Sequence, residues 1–499
     1  MVNDSPKVPS PFISLIPLLV LVCLLFFTIS IWGGDALNGA SQIVLLCSTA
    51  VCCLISMSFY KVRWKHLEAS IVNNITGVGL ALIILLIIGA LSSSWMISGV
   101  VPTLIYYGVQ LIHPSLFLVS TCIICAIVSV VTGSSWTTVA TIGVALFGIG
   151  KVQGFDEGWI AGAIISGAYF GDKVSPLSDT TILASSVSGT PLFKHIRYLM
   201  ITTVPSFTIA LIIFAISGFN HQATDMTHIV EFRNTLNTTF TISLWLLLVP
   251  VATGFMIAKR VPAVITLFVS SILAIIFAVF FQSDLLRQIA GAEFADVKSL
   301  FTGSLMSLYG GTQIETGNAA INDLVATRGM RGMMNTVWLI LCAMCFGGVM
   351  VASSMLNSII SLFFRFMKNT FGLVTSTVFS GLFFNLCTAD QYISIILTGK
   401  MFKDIYRQKG YDSCLLSRTT EDSVTVTSPL VPWNSCGLTQ SAVLGVATLT
   451  YLPYCFFNLI SPLMSIIVSA LGYKIARISP NSTDPSDSAH EFIDKNYTD

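Results

Sequence analysis

Eight ionisable residues stand in stretches too apolar for ordinary surface loops: Asp172, Lys173, Asp179, Glu315, Asp323, Asp390, Glu421 and Asp422. Seven of the eight are acids, and each lies in or beside a segment interrupted by Gly, Pro, Ser or Thr. Ser, Thr and Asn accompany them. Asp172, Ser175, Ser178, Asp179 and Thr180 make one cluster; Asn385, Thr388 and Asp390 a second; Glu421, Asp422, Thr427, Ser428 and Asn434 a third. Carboxylates among hydroxyls, carboxamides and freed backbone carbonyls suit a hard monovalent cation, whose hydration shell oxygen ligands can replace. The same carboxylate can hold Na⁺ or H⁺ but not both well, and that competition is sufficient for exchange. None of the six histidines falls in the middle of an apolar run. A proton carrier is therefore expected to be a carboxylate, which burial makes easier to protonate.

Each acid also has a plainer reading. Asp172 fits a helix cap paired with Lys173, and Asp179 fits a cap on the helix that Thr180 begins. Glu421 lies close enough in sequence to Arg418 for a structural ion pair. Asp390 and Glu315 have no basic neighbour nearby. Trp136 and Trp433 read as packing residues. Asp172 and Asp390 are the expected Na⁺ ligands.

The elements that position these groups must be membrane helices. Of the 499 residues 54% are hydrophobic and 10% charged, and mean hydropathy is +0.82. Soluble domains carry about 25% charged residues. No Asp, Glu, Lys or Arg occurs from Val8 to Gly34, Ala36 to Tyr60, Ala69 to Gly150 or Ser423 to Tyr473, and a span needs about 20 apolar residues. The first run has no small-residue cleavage site and reads as the first membrane helix. Full-length helices are expected at Pro11–Trp32, Ala40–Tyr60, Gly77–Ile97, Ser115–Val131, Ile196–Phe219, Thr241–Ala258, Pro262–Gln282, Met334–Leu356, Phe371–Leu386, Leu438–Cys455 and Phe456–Leu471. Basic clusters such as Lys194/Arg197 and Lys400–Lys409 place their loops, and both termini, in the cytoplasm. The polar tail, 479–499, is expected to be disordered and cytoplasmic.

Thr132–Gly150, Gly171–Ser186, Tyr309–Asp323, Asn385–Gly399 and Thr420–Gly437 are apolar but broken. Irregular backbone at membrane depth is tolerated only against protein or a wet cavity, and broken helices build the ion sites of secondary transporters. Ser175-Pro176-Leu177 recurs as Ser428-Pro429-Leu430. That offset sets Thr137 opposite Asp390, making Thr137 a further candidate ligand. It divides the chain into a repeat at 11–219, a connector helix at 241–258 and a repeat at 262–472. An odd connector between even repeats inverts the second. The expected fold is thus an all-α polytopic membrane protein of 11–13 transmembrane helices, with broken or re-entrant helices in two inverted-topology repeats.

There is no phosphate-binding GxxxxGK[ST] loop, HExxH motif or nucleophile elbow, so an enzyme or nucleotide-driven pump is not expected. Cys122/Cys125 and Cys342/Cys345 have CxxC spacing inside apolar runs and read as packing. The near-zero net charge gives no sign of nucleic-acid binding. No cofactor is expected beyond the transported Na⁺ and H⁺; the partners are membrane lipid and the cargo, and a homodimer is compatible.

The stretch GAYFGDKVSPLSDTTILAS (Gly167–Ser185) resembles the NhaC-type sodium/proton antiporters. TGSSWTTVATIGVAL (Thr132–Leu146), ETGNAAINDLVATRGM (Glu315–Met330), ADQYISIILTGKMF (Ala389–Phe402) and LSRTTEDSVTVTSPLVPWNSCG (Leu416–Gly437) are similar to the same family. The resemblance implies an ion-transporter-type fold with hairpins meeting near the bilayer midplane. It implies exchange of Na⁺ for H⁺ across a bacterial inner membrane. It carries function onto Asp172, Ser175, Ser178, Asp179, Thr180, Asp390, Glu421, Asp422, Thr427, Ser428, Trp433 and Asn434. Similar proteins exchange malate and lactate, or are suspected of carrying amino acids, so a small organic acid or amino acid is the alternative cargo. A scarcity of intramembrane Lys and Arg argues against a dicarboxylate. A channel or structural membrane protein is the third reading, and buried acids in broken repeats argue against it.

Overall fold

The computed structural model describes residues 9–32, 36, 39–220, 226–316, 321–322, 325–360 and 367–478. Asp323 and the tail 479–499 lie outside the described residues. The chain is helical, with only isolated bridges such as Thr312–Thr327 among the described residues. The helices are α1 (Pro11–Trp32), α2 (Ala40–Tyr60), α3 (Trp64–Ile97), α4 (Val100–Leu111), α5 (Phe117–Thr132), α6 (Ser135–Val152, with a π turn at Val139–Gly143), α7 (Glu157–Val174), α8 (Asp179–Ser188) and α9 (Leu192–Asn220). There follow α10 (Met226–Thr239), α11 (Leu248–Ala258), α12 (Ala263–Phe281), α13 (Ser283–Ile289), α14 (Val297–Tyr309), α15 (Met334–Ala352) and α16 (Met355–Ile360). The last are α17 (Thr370–Thr388), α18 (Gln391–Gln408), α19 (Ser413–Thr420), α20 (Ser435–Leu444) and α21 (Phe456–Ala470). Nine helices among the described residues are long and apolar enough to cross a membrane, or up to 11 if each of two bent pairs counts as one span. The chain is a multi-pass membrane protein.

Burial separates two kinds of span. In α1, α3, α9 and α12 only 33% of the most apolar window is buried, whereas in α6 it is 78%. The outer helices present Phe12, Phe26, Phe219 and Phe280 outward, where lipid rather than water is the solvent. Inside, one apolar core gathers residues of α4, α5, α6 and α7, another those of α1, α2, α15 and α17, and the long α3 contributes to both. Ala184, Ile395 and Val424 form a small cluster of their own on the broken segments.

Helix α7 was not among the expected spans, because Gly, Ala and Ser dilute its hydropathy. Those small residues are its packing surface. A Cβ on Gly167 would stand 2.1 Å from the Cys122 carbonyl, one on Gly171 2.3 Å from that of Ala126. Such close approach is how helices associate where no hydrophobic effect operates between them. Cys122 and Cys125 are buried in this contact, as packing residues. The expected helix Leu438–Cys455 is not continuous: α20 stops at Gly445 (φ 72°), and Thr448–Tyr454 is bent 57° from α21. The expected Thr241–Ala258 begins only at Leu244, with a 3₁₀ turn.

Local structure recurs at one constant interval. Gly133 and Ala389 are left-handed (φ 66° and 58°) and end α5 and α17. Ser134 and Asp390 follow as caps, accepting from the amides of Thr137 (3.2 Å) and Ile393 (2.9 Å). Before them, Thr132 and Thr388 each donate a hydroxyl to the cap's carbonyl, at 3.2 and 3.0 Å. Asp156 and Asp412 cap α7 and α19, Ser178 and Asn434 cap α8 and α20, and Gly189 and Gly445 end these last two. This register corrects the one drawn from Ser-Pro-Leu, which slips by three positions. Ser134, not Thr137, is the counterpart of Asp390, and Pro176 matches Pro432. The triplet misleads because equivalent caps carry different residues of equal capping ability.

Candidate functional site

The breaks after α5 and α7 meet: a Cβ on Gly133 would lie 2.7 Å from the backbone of Leu177. Because α5 ends in a left-handed residue, α6 starts anew beside α7, and Ser135 Oγ donates to Asp172 Oδ2 at 2.7 Å. Asp172 is buried near the end of α7. The Thr181 hydroxyl, on the first turn of α8, donates to the carbonyls of Asp172 (3.3 Å) and Lys173 (3.1 Å). These are carbonyls that a helix end leaves free.

Lys173 is fully buried and pairs with Asp422, not with Asp172. Its ammonium also donates to Ser461 Oγ (2.9 Å) and lies 5.6 Å from the Phe457 ring centre. Asp422 Oδ1 further accepts from Thr202 and Ser461, both at 3.1 Å, while its Oδ2 has no hydrogen-bond partner. The pair thus ties α7 to the segment after α19, with α9 and α21 supplying hydroxyls.

Glu421 and Asp422 open a π turn, Glu421–Thr425. Such turns interrupt the helical ladder and are common at functional sites. Glu421 is fully buried, and neither of its carboxylate oxygens receives a hydrogen bond; Thr425 approaches without meeting hydrogen-bond geometry. Asp172, Lys173 and Asp422 are near enough to act on it electrostatically. The expected ion pair with Arg418 is not formed: the guanidinium stacks on the Tyr198 ring, 4.6 Å away.

Two carboxamides cross the unwound stretch that follows. Asn385 Nδ2 donates to the Val424 carbonyl (2.7 Å) and Thr427 Oγ1 (3.0 Å), and Asn458 Nδ2 donates to the Val426 carbonyl (2.7 Å). The Oδ1 of each is buried without a partner. Several oxygens of these segments have no hydrogen-bond partner among the described residues: both of Glu421, one of Asp422 and one each of Asn385 and Asn458. Oxygen donors of this kind suit a hard cation.

Other expected ligands have hydrogen-bond partners within the protein. Asp390 caps α18, with Oδ1 on the Ile393 amide and Oδ2 accepting from Ser435 Oγ at 3.1 Å. Asn434 caps α20, and its Nδ2 donates to the Asn385 carbonyl at 3.2 Å. Ser175 Oγ donates to the Val130 carbonyl (2.8 Å), Ser178 caps α8 and meets Thr180 Oγ1 (2.9 Å), and Thr137 Oγ1 donates to Ser134 Oγ (3.1 Å). Thr427 Oγ1 donates to the Ser423 carbonyl, and Ser428 Oγ to the Thr425 carbonyl (2.8 Å). Trp433 Nε1 donates to the Leu386 carbonyl at 2.7 Å. Asp179 is exposed on the first turn of α8, and Ser178, not Asp179, is the cap. Glu315 is exposed and lies apart, on a cavity of about 610 Å³ lined also by Gln282 and Asp284.

Sequence reasoning missed Ser135, Thr202, Asn458, Ser461 and His195, and gave Arg418 the wrong partner. The first four are common small polar residues with no distinguishing pattern. His195, assigned to a loop, is buried in α9.

Residues 167–473 match the Na+/H+ antiporter family. The chain is 39% identical over 432 residues to the Na(+)/H(+) antiporter NhaC of Alkalihalophilus pseudofirmus, covering 86% of this chain and 90% of that protein. It is 36% identical over 423 residues to the malate-2H(+)/Na(+)-lactate antiporter of Bacillus subtilis, covering 84% and 87%. It is 33% identical over 491 residues to the arginine/ornithine antiporter ArcD of Halobacterium salinarum, covering 97% of each.

Proposed function

Since the chain belongs to the Na+/H+ antiporter family, we propose that it exchanges Na⁺ for H⁺ at a buried centre made by Asp172, Glu421 and Asp422. As a member it is a transporter and not an enzyme, and Na⁺ and H⁺ are its cargo. We place it in the cell membrane.

The observation that carries this reading is the Glu421 carboxylate, fully buried, without a hydrogen-bond partner among the described residues and within electrostatic reach of Asp172 and Asp422. Among the described residues the buried carboxylates are Asp172, Asp390, Glu421 and Asp422, while the buried Lys and Arg are Lys173 and Arg418. Acids outnumber bases, and an unbalanced charge at membrane depth is costly. A bound proton or a bound Na⁺ reduces that excess equally well. The Glu421 carboxylate cannot be protonated and also bind Na⁺ well, so at that group each displaces the other. In this scheme Lys173 holds Asp422 in place, Ser135 orients Asp172, and Asn385 and Asn458 offer neutral oxygens to Na⁺. Asp390, Ser178 and Asn434 set the geometry as caps. The matching breaks belong to two repeats, at about 11–219 and 262–472, with the second inverted relative to the first.

In proteoliposomes with an imposed pH gradient, added Na⁺ collapses the gradient without any organic substrate, and K⁺ does not. No response to Na⁺ across a broad pH range would rule the reading out. Exchange involving an organic acid or amino acid is favoured by a separate feature, the unpaired guanidinium of Arg418.

A further inference from the structure

We propose that Arg418 is the carboxylate-binding residue for a small organic anion carried by this protein. Its side chain is fully buried, and none of Nε, Nη1 and Nη2 has a hydrogen-bond partner among the described residues. No carboxylate among the described residues forms an ion pair with it; the buried acid–base pair at this level is Lys173 with Asp422. A guanidinium stripped of water and left without an acceptor is among the costliest arrangements a protein can hold. Its planar fork matches a carboxylate, which accepts two parallel hydrogen bonds from it.

The surroundings hold the fork rather than satisfy it. Tyr198 stacks on the guanidinium, and the Tyr198 hydroxyl is fixed at both ends. It donates to the Lys474 carbonyl (2.8 Å) and accepts from the Ala476 amide (3.1 Å). One turn away on the same helix, His195 binds Ser417 Oγ through Nδ1 at 2.8 Å, and its Nε2 is buried without a partner. Ser417 adjoins Arg418, so a second polar group with unused hydrogen-bonding capacity stands beside the fork. Arg418 and Glu421 lie one turn apart on consecutive helical segments. An anion at Arg418 and a cation at Glu421 would therefore be near neighbours, each offsetting the other's charge. The cargoes for which two relatives are named, malate and lactate for one and arginine and ornithine for the other, have in common one group, a carboxylate. The proposal rests on the antiport reading only in placing Arg418 on the transport path.

The test uses the full-length protein in detergent and in proteoliposomes. Lactate, malate, arginine and ornithine are titrated with Na⁺ present, each beside its amide, which keeps the size and removes the charge. At least one acid is expected to bind and to be taken up, with its amide at least tenfold weaker. Arg418→Lys keeps the charge without the fork and is expected to weaken binding by about tenfold or more; Arg418→Gln is expected to remove it. Equal binding of acid and amide, unchanged affinity in a folded Arg418→Lys protein, or no binding of any of the four acids to the wild type overturns the proposal. Sodium-driven collapse of a pH gradient by the wild type without organic acids reports on the exchange reading separately, so either can fail alone.

Discussion

Removing one member of the Lys173–Asp422 pair should be far more damaging than removing both. Both side chains are wholly buried. Stripping one partner from a buried pair costs roughly 3–5 kcal/mol, because the other charge is stranded. Local bonds set where in that range each variant falls. In Lys173→Met, Asp422 keeps the hydroxyls of Thr202 and Ser461, so the low end, about 3 kcal/mol, is expected. In Asp422→Asn, the ammonium keeps Ser461 and the Phe457 ring face, again about 3 kcal/mol. Lys173→Met with Asp422→Asn strands no charge and leaves the amide oxygen with both hydroxyl donors, so the cost should fall to about 1 kcal/mol or less. Independent effects would instead sum to about 6 kcal/mol, so the expected coupling is about 5 kcal/mol. Thermal unfolding of the four purified proteins in one detergent gives the ranking: wild type and the double variant close together, both single variants well below. A double variant at or below the worse single variant would refute the claim that these two charges balance each other.

Asp412 gives a pH test outside the spanning helices. Burial pushes its carboxyl up, but the Cys414 amide (3.0 Å) and the Lys194 ammonium (2.6 Å) outweigh this and hold it below the usual range. A lowered carboxyl stabilises the fold above its unfolded value, about 3.9, and that benefit disappears as pH falls through the folded value. Asp412→Asn should therefore melt earlier than wild type at pH 7, by about 1 kcal/mol or less, with the gap closing below about pH 4; a gap independent of pH would count against the ion pair. Asp390→Asn should fold nearly as well as wild type, since Asn also caps, whereas Asp390→Ala should cost about 1 kcal/mol in thermal unfolding. Equal losses in the two variants would argue for a charge role over capping. Gly167→Ala should destabilise by about 1–3 kcal/mol, because its methyl group forces α5 and α7 apart; an unchanged melting point would show that the contact can yield.

Hydropathy read the lipid-facing helices well because lipid exposure is what it measures: Pro11–Trp32 and Ala40–Tyr60 have the bounds expected. It failed on α7, whose contacts are with protein, so that small residues serve it better than large apolar ones. The broken segments were legible because Gly, Pro and capping residues at membrane depth have few other uses. Their pairing was not, since Ser134 and Asp390 do the same work with different side chains. The acids of the site were visible as costly residues. Their partners were not: Lys173 reaches an acid 249 residues away, and only tertiary packing brings the two together. Arg418 looked like the ion-pair partner of Glu421 because they stand one turn apart, yet stacking on Tyr198 draws it elsewhere.

The central claim is that Na⁺ and H⁺ compete for the carboxylates around Glu421. Adding Na⁺ to purified protein in weakly buffered solution and recording released protons tests it without a membrane or gradient. Wild type should release protons in a saturable manner with Na⁺ and not with K⁺, and Glu421→Gln should release markedly fewer. Saturable Na⁺ binding with no proton release, or undiminished release from a folded Glu421→Gln protein, would contradict it.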